Sequence, residues 1–145
     1  MRALLLPSLL LLSLVSRGMA QQPRPYTEGP VVTMSYIRTK PGMFDKYMAY
    51  LAGNYKTLME AEKKAGIIVD YAVYSSPQNS ENDWDVLLTT TYKNMAALDN
   101  LEDRIEPIQA TTLKQSREQG NQAFSDRGAM RDPAGSRLVR QLILK

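Results

Sequence analysis

The side chains of this chain with chemistry to offer are its aromatic residues and one aspartate in an apolar setting. Of eight tyrosines, Tyr36, Tyr71, Tyr74 and Tyr92 fall in β-rich segments, and Tyr47, Tyr50 and Tyr55 fall in an amphipathic one. The single tryptophan, Trp84, opens a further β-rich run. Rings with hydroxyl rims supply π-faces and a few hydrogen bonds, the make-up of a small-molecule pocket. The competing reading is that most of them fill the core or a dimer interface. The candidate lining set is Tyr36, Arg38, Tyr55, Asp70, Tyr71, Tyr74 and Trp84. Asp70 lies in the otherwise apolar run IIVDYAVY (Ile67–Tyr74). Such a carboxylate either pairs with a cation such as Arg38 or has a raised pKa suited to a general acid or base. Structural pairing is the commoner outcome, so Asp70 is a residue to watch rather than an assigned catalyst.

The absences narrow the chemistry further. The chain has no histidine and no cysteine. A Ser-His-Asp triad, a Cys-His pair, a histidine-ligated zinc and a proximal-histidine haem are therefore excluded. Any acid–base work falls to Asp, Glu, Lys or Tyr. Two acidic groups remain as metal candidates. Asp99, Glu102, Asp103 and Glu106 share helical spacing, and Glu81, Asp83 and Asp85 flank Trp84. The first is read as a solvated helix face, because cation sites usually converge from several elements, and the second lacks the glycine-punctuated spacing of a calcium loop; no metal and no cofactor are expected.

The first twenty residues read as a secretory signal peptide (1–20). Met1-Arg2 is a short positive start, ALLLPSLLLLSLV is an apolar run, and Gly18-Met19-Ala20 supplies the small residues of a cleavage site before Gln21. The run is too short to span a bilayer, which takes about 17–25 apolar residues. An exported chain, periplasmic or secreted, is the expectation, with no membrane contact after cleavage. Arg2 and Arg17 leave with the leader, so the formal charge of +3 falls to about +1. That balance gives no case for a nucleic-acid binder.

Residues 21–30 (QQPRPYTEGP) read as an extended lead-in, and residues 31–145 as a single domain. Strands are expected at Val31–Ile37, Ile67–Tyr74, Asp85–Tyr92 and Leu138–Leu144. A helix is expected from Met43 to Ala65, closed by Gly66 in the left-handed conformation. A second helix follows Asn94 and is broken or restarted at Pro107. Ile108 to about Arg127 is helix-permissive but polar, and Asp132-Pro133-Ala134-Gly135 reads as a turn. The order β-α-β-β-α-β, with a polar helical insert before the last strand, is the ferredoxin-like arrangement of the α+β class. Apolar residues on both faces of Val31–Ile37 and Ile67–Tyr74 call for a second cover, most economically a second copy of the chain.

A strand, the Lys40-Pro41-Gly42 turn, a long tyrosine-bearing helix, a Trp84-containing hairpin and a short helix together resemble the dimeric α+β barrel superfamily. That superfamily includes NIPSNAP-like and antibiotic-biosynthesis-monooxygenase-like proteins. The resemblance implies a ferredoxin-like fold and a homodimeric α/β barrel. It carries over no catalytic residue, because the histidine that ligates haem in some branches has no counterpart here. The leading functional reading is a module binding a small, partly aromatic molecule. Its rivals are a cofactor-independent oxygenase or isomerase and a structural envelope protein without a ligand. Intact-mass measurement of protein from the envelope or medium is expected to find a chain beginning at Gln21; a retained leader would make it an anchor.

Overall fold

A computed structural model describes residues 23–80 and 82–145; the expected leader over residues 1–20 lies outside the described residues, as does Glu81. Four strands form one antiparallel sheet in the order β2-β3-β1-β4: β1 (Tyr26–Thr39), β2 (Asp70–Ser75), β3 (Val86–Tyr92) and β4 (Arg131–Leu144). With helices after β1 and β3, this is the ferredoxin-like fold expected from the sequence.

The first helical stretch is α1 (Phe44–Tyr50), a π-turn over Leu51–Tyr55, and α2 (Lys56–Lys64). Gly53 and Asn54, both poor helix formers, occupy the π-turn. The stretch ends in a Schellman motif. The Ile67 amide donates to the Glu62 carbonyl at 3.0 Å, the Gly66 amide donates to Lys63 at 3.0 Å, and Gly66 has φ +72°. Asn94 caps a short 3₁₀ turn over Met95–Leu98, where its side chain accepts from the Ala97 amide at 3.1 Å. Asn100 (φ 50°) separates that turn from α3 (Leu101–Leu113). Asp99 therefore stands outside the helix that carries Glu102, Asp103 and Glu106.

Core packing and strand pairing accommodate three prolines: two expectations fail there, and the extended lead-in joins the sheet. Pro107 lies inside α3 and does not break it. The helix is held on both sides of it by Ile105, which is buried, and by half-buried Ile108 in the same apolar cluster. The lead-in 21–30 is in the sheet from Tyr26 onward, since Tyr26, Thr27 and Glu28 pair with Leu144, Ile143 and Leu142. Pro30 is accommodated because a bulge between Glu28 and Val31 removes the need for its missing donor. The expected turn at Asp132–Gly135 is likewise a bulge within β4. Tyr36 faces Gly135 and Ile37 faces Pro133, so Ala134 is the extra residue.

Register assigns the faces. Val31, Ile37 and Val86 point under the helices with Tyr47 and Leu51 and are all buried. A second cluster, Met59, Ile67, Ile68, Tyr92 and Ile105, fills the space beneath α2 and α3. The opposite face carries Val32, Met34 and Tyr36 of β1, Leu87 and Thr89 of β3, Ala72 and Tyr74 of β2, and Val139 of β4. No element among the described residues covers it, and Tyr74 is 54% exposed.

One charged residue is enclosed with the core. Glu62 of α2 is 2% exposed. Burial, with the Glu102 carboxylate facing it from α3, pushes its pKa from 4.5 up to about 7. The rings of Tyr55 and Tyr92 are its other titratable neighbours. A carboxyl whose folded pKa is raised costs nothing below its unfolded value and progressively more as pH climbs toward its folded one. Stability is thus expected to fall between about pH 4.5 and 7, by at most about 3 kcal/mol. Glu62→Gln should flatten that slope and raise stability at pH 8 in denaturant titrations; an unchanged slope would assign the dependence elsewhere.

Candidate functional site

The structure distributes the candidate residues over four places rather than gathering them into one pocket. Tyr36 and Tyr74 lie on the uncovered sheet face, where Leu87 pairs with both. Trp84 meets the Tyr36 ring edge-on, centroids 5.3 Å apart and planes at 60°. Tyr55 and Tyr71 lie on the other side, under the helices, in a T-shaped pair at 6.0 Å. Burial pushes the Tyr55 hydroxyl up to about 12. Partial burial and the hydrogen bond it donates to Glu60 at 2.7 Å push the Tyr71 hydroxyl up to about 12. Neither is a base at neutral pH.

Asp70 and Arg38 do not meet. Asp70 begins β2, is exposed, and accepts from Lys63 Nζ at 2.7 Å. That hydrogen bond, the Tyr71 amide and the lysine charge hold its carboxyl below the usual range, so the raised-pKa alternative is not realised. The reason is register: the sheet begins only at Asp70, while Ile67 and Ile68 before it are the buried residues. Arg38 instead sits at the Lys40-Pro41-Gly42 turn, where it reaches Asp132 at 3.5 Å and donates to Asn82 at 3.2 Å. Lys40 lies 3.9 Å from the same Asp132. This cleft, about 600 Å³, is wide, and its two cations share the single Asp132 carboxylate.

A narrower groove lies where the helical insert folds back on the first helix. α4 (Arg117–Arg127) begins with a capping box, Ser116 and Gln119 each bonding the other's backbone amide. Lys114, in the left-handed conformation at φ 51°, turns the chain out of α3 toward it. The groove holds about 360 Å³ and is walled by Tyr50, Asn54 and Leu58 on one side, Glu102 and Glu106 of α3, and Phe124 and Arg127 of α4. The π-turn contributes directly, because Asn54 belongs to it. Such π-turns recur at functional sites.

α4 has no apolar stripe to bury, and Phe124 is 59% exposed. It is held by stacking. The Arg127 guanidinium lies 5.2 Å from the Tyr50 ring and 5.2 Å from the Phe124 ring. Arg131, the first residue of β4, lies 5.7 Å from the Tyr47 ring and 5.9 Å from that of Phe124. Tyr47 and Tyr50 are themselves stacked at 6.0 Å and 16°. Two cations are thus layered between a tyrosine pair and a phenylalanine, each contact worth about 0.5–1 kcal/mol at exposed sites. The sequence places Tyr50 in the amphipathic segment and Phe124 and Arg127 in the polar, helix-permissive stretch from Ile108, with nothing in their spacing to join them. The Ser116-x-x-Gln119 capping signature was the one local sign that a separate helix would bring them together.

Among the described residues no cluster of acidic side chains could hold a metal ion, and no helix is long and apolar enough to cross a membrane. No protein-family model matches the chain, and no curated protein matches it in sequence. Solved structures do share its architecture. HapK from Hahella chejuensis superposes with a TM-score of 0.50 at 11% identity, over 77% of this chain and 91% of that one. A dimeric ferredoxin-like protein from an uncultured marine organism gives 0.49 at 11% identity, over 82% and 98%. A dimeric ferredoxin-like protein of unknown function from Bacteroides fragilis gives 0.43 at 17%, over 80% and 98%. At these identities the likeness to HapK bears on the fold alone, in agreement with the strand order described above.

Proposed function

We propose that the protein is an exported, homodimeric binding module of the dimeric α+β barrel kind. It holds a small, partly aromatic molecule in the groove walled by Tyr50, Asn54, Leu58 and Phe124. The observation that carries the ligand reading is the groove itself: about 360 Å³ with two aromatic walls, within the usual range of about 300–1,000 Å³ for small-molecule sites. The proton-transfer alternative has less support, since Asp70 is a paired, exposed carboxylate and the Tyr55 hydroxyl is pushed up to about 12. The dimer reading is supported by the uncovered sheet face, whose central residues Met34, Tyr36 and Leu87 are apolar and half-buried within one chain. A second sheet laid on it would remove that surface from water at about 25 cal/mol per Å².

Two measurements test these readings separately. Leu87→Glu places a charge at the centre of the proposed interface, and sedimentation should show a dimer converted to monomer with the far-UV spectrum retained. A stable wild-type monomer at micromolar concentration would refute the dimer. For the ligand, a thermal-shift screen of small aromatic compounds should yield stabilising hits that Phe124→Ala loses. Hits that survive Phe124→Ala but vanish in Tyr36→Ala would move the site to the sheet face, and no hits at all would favour a structural role.

A further inference from the structure

The Arg–aromatic stack contains positive charge that the protein itself does not answer. Of the described arginines, Arg24, Arg38, Arg117 and Arg140 reach a carboxylate, Arg117 meeting Glu106 at 3.8 Å, while Arg104 and Arg137 donate to backbone carbonyls instead. Among the described residues neither Arg127 nor Arg131 has a carboxylate within ion-pair distance, although both are half-buried. Arg131 Nε is moreover buried without any hydrogen-bond partner. An unanswered buried donor is costly, and a planar guanidinium is best satisfied by a planar carboxylate.

We propose that the molecule held in the groove is an aromatic carboxylate, its anionic end received by Arg127, with Arg131 adding to the positive field beneath. This rests on the groove being the binding site. The ring would lie against Phe124 and Tyr50, and Asn54 on the π-turn offers an amide for a polar substituent. The groove's own charges set the direction of binding. Glu106 is compensated by Arg117, whereas Glu102, with Glu62 behind it, leaves the α2–α3 end negative. The carboxylate therefore belongs at the α4 end. The opposite end suits a hydroxyl or amine donor.

Titration calorimetry with 4-hydroxyphenylacetate and its neutral analogue 4-hydroxyphenylacetamide tests this on the full mature chain. The two differ in charge and hardly in shape. The acid should bind about tenfold more tightly or better, as expected for charge-assisted hydrogen bonds. Arg127→Gln should erase that preference, leaving acid and amide with equal and weaker affinities, and Arg127→Lys should restore part of it. Inorganic phosphate at equal concentration should compete poorly. Equal affinities for acid and amide, both lost in Phe124→Ala, would overturn the carboxylate while keeping the site. Efficient competition by phosphate would make this a general anion seat and overturn the aromatic carboxylate. Failure of both compounds to bind at millimolar concentration would overturn the site together with its ligand class. The acid-to-amide ratio is read on the unmodified protein, so it decides the matter even if an Arg127 variant unfolds.

Discussion

Ile37 and Val86, buried cross-strand partners on adjacent strands, mark where the helices press on the sheet, and Tyr47 and Leu51 press back from above. Among the described residues the helices cover one face of the four-stranded sheet, and Ile37, Tyr92, Ile67 and Ile68 are buried beneath them. The groove lies farther out, where the insert meets the first helix. Met34, Tyr36 and Leu87 face away from that core, with no element among the described residues above them.

The insert is attached by an unusual kind of contact for a helix. α4 has only Ala123 and Phe124 as apolar residues and neither is buried, so hydrophobic burial contributes little to holding it. Stacking of Arg127 and Arg131 between Phe124 and the Tyr47–Tyr50 pair holds it instead. Contacts of this strength are individually small, and a helix held by a few of them can separate from its neighbour at lower cost than one seated in a core. A groove bounded by such a helix combines a rigid wall, α1 and α2, with a yielding one. The π-turn belongs to the rigid wall and sets Asn54 and Tyr50 toward the groove while Leu51 stays buried.

The long β1–β4 pairing depends on two bulges. Each lies beside a proline, Pro30 in β1 and Pro133 in β4, and each adds one residue to its own strand. Because one bulge is on each strand, the register shift introduced by the first is cancelled by the second, and both ends of the ribbon pair in the same frame. The result is two strands of 14 residues each where the local sequence suggests much shorter ones.

Much of this architecture was legible from residue order. The alternation of Val31–Ile37, the three-to-four spacing from Phe44 to Leu58, Gly66 at a helix end and Asn94 at a helix start are local signals, and local hydrogen bonding and side-chain periodicity generate the same elements in the folded chain. The element order then implied the ferredoxin-like sheet. Long-range pairing decided the rest. Whether Pro133 marks a turn or a bulge depends on the partner strand opposite it, and whether Pro107 ends a helix depends on the core that Ile105 and Ile108 join. Asp70 looked buried because its neighbours are apolar, yet the helix end before it put Ile67 and Ile68 inside and left Asp70 to Lys63. The meeting of Tyr50, Phe124 and Arg127 spans more than seventy residues of chain, and no spacing rule reaches that far. Side-chain type and periodicity are properties of neighbours in sequence, whereas a site made by two elements folding together is a property of their packing.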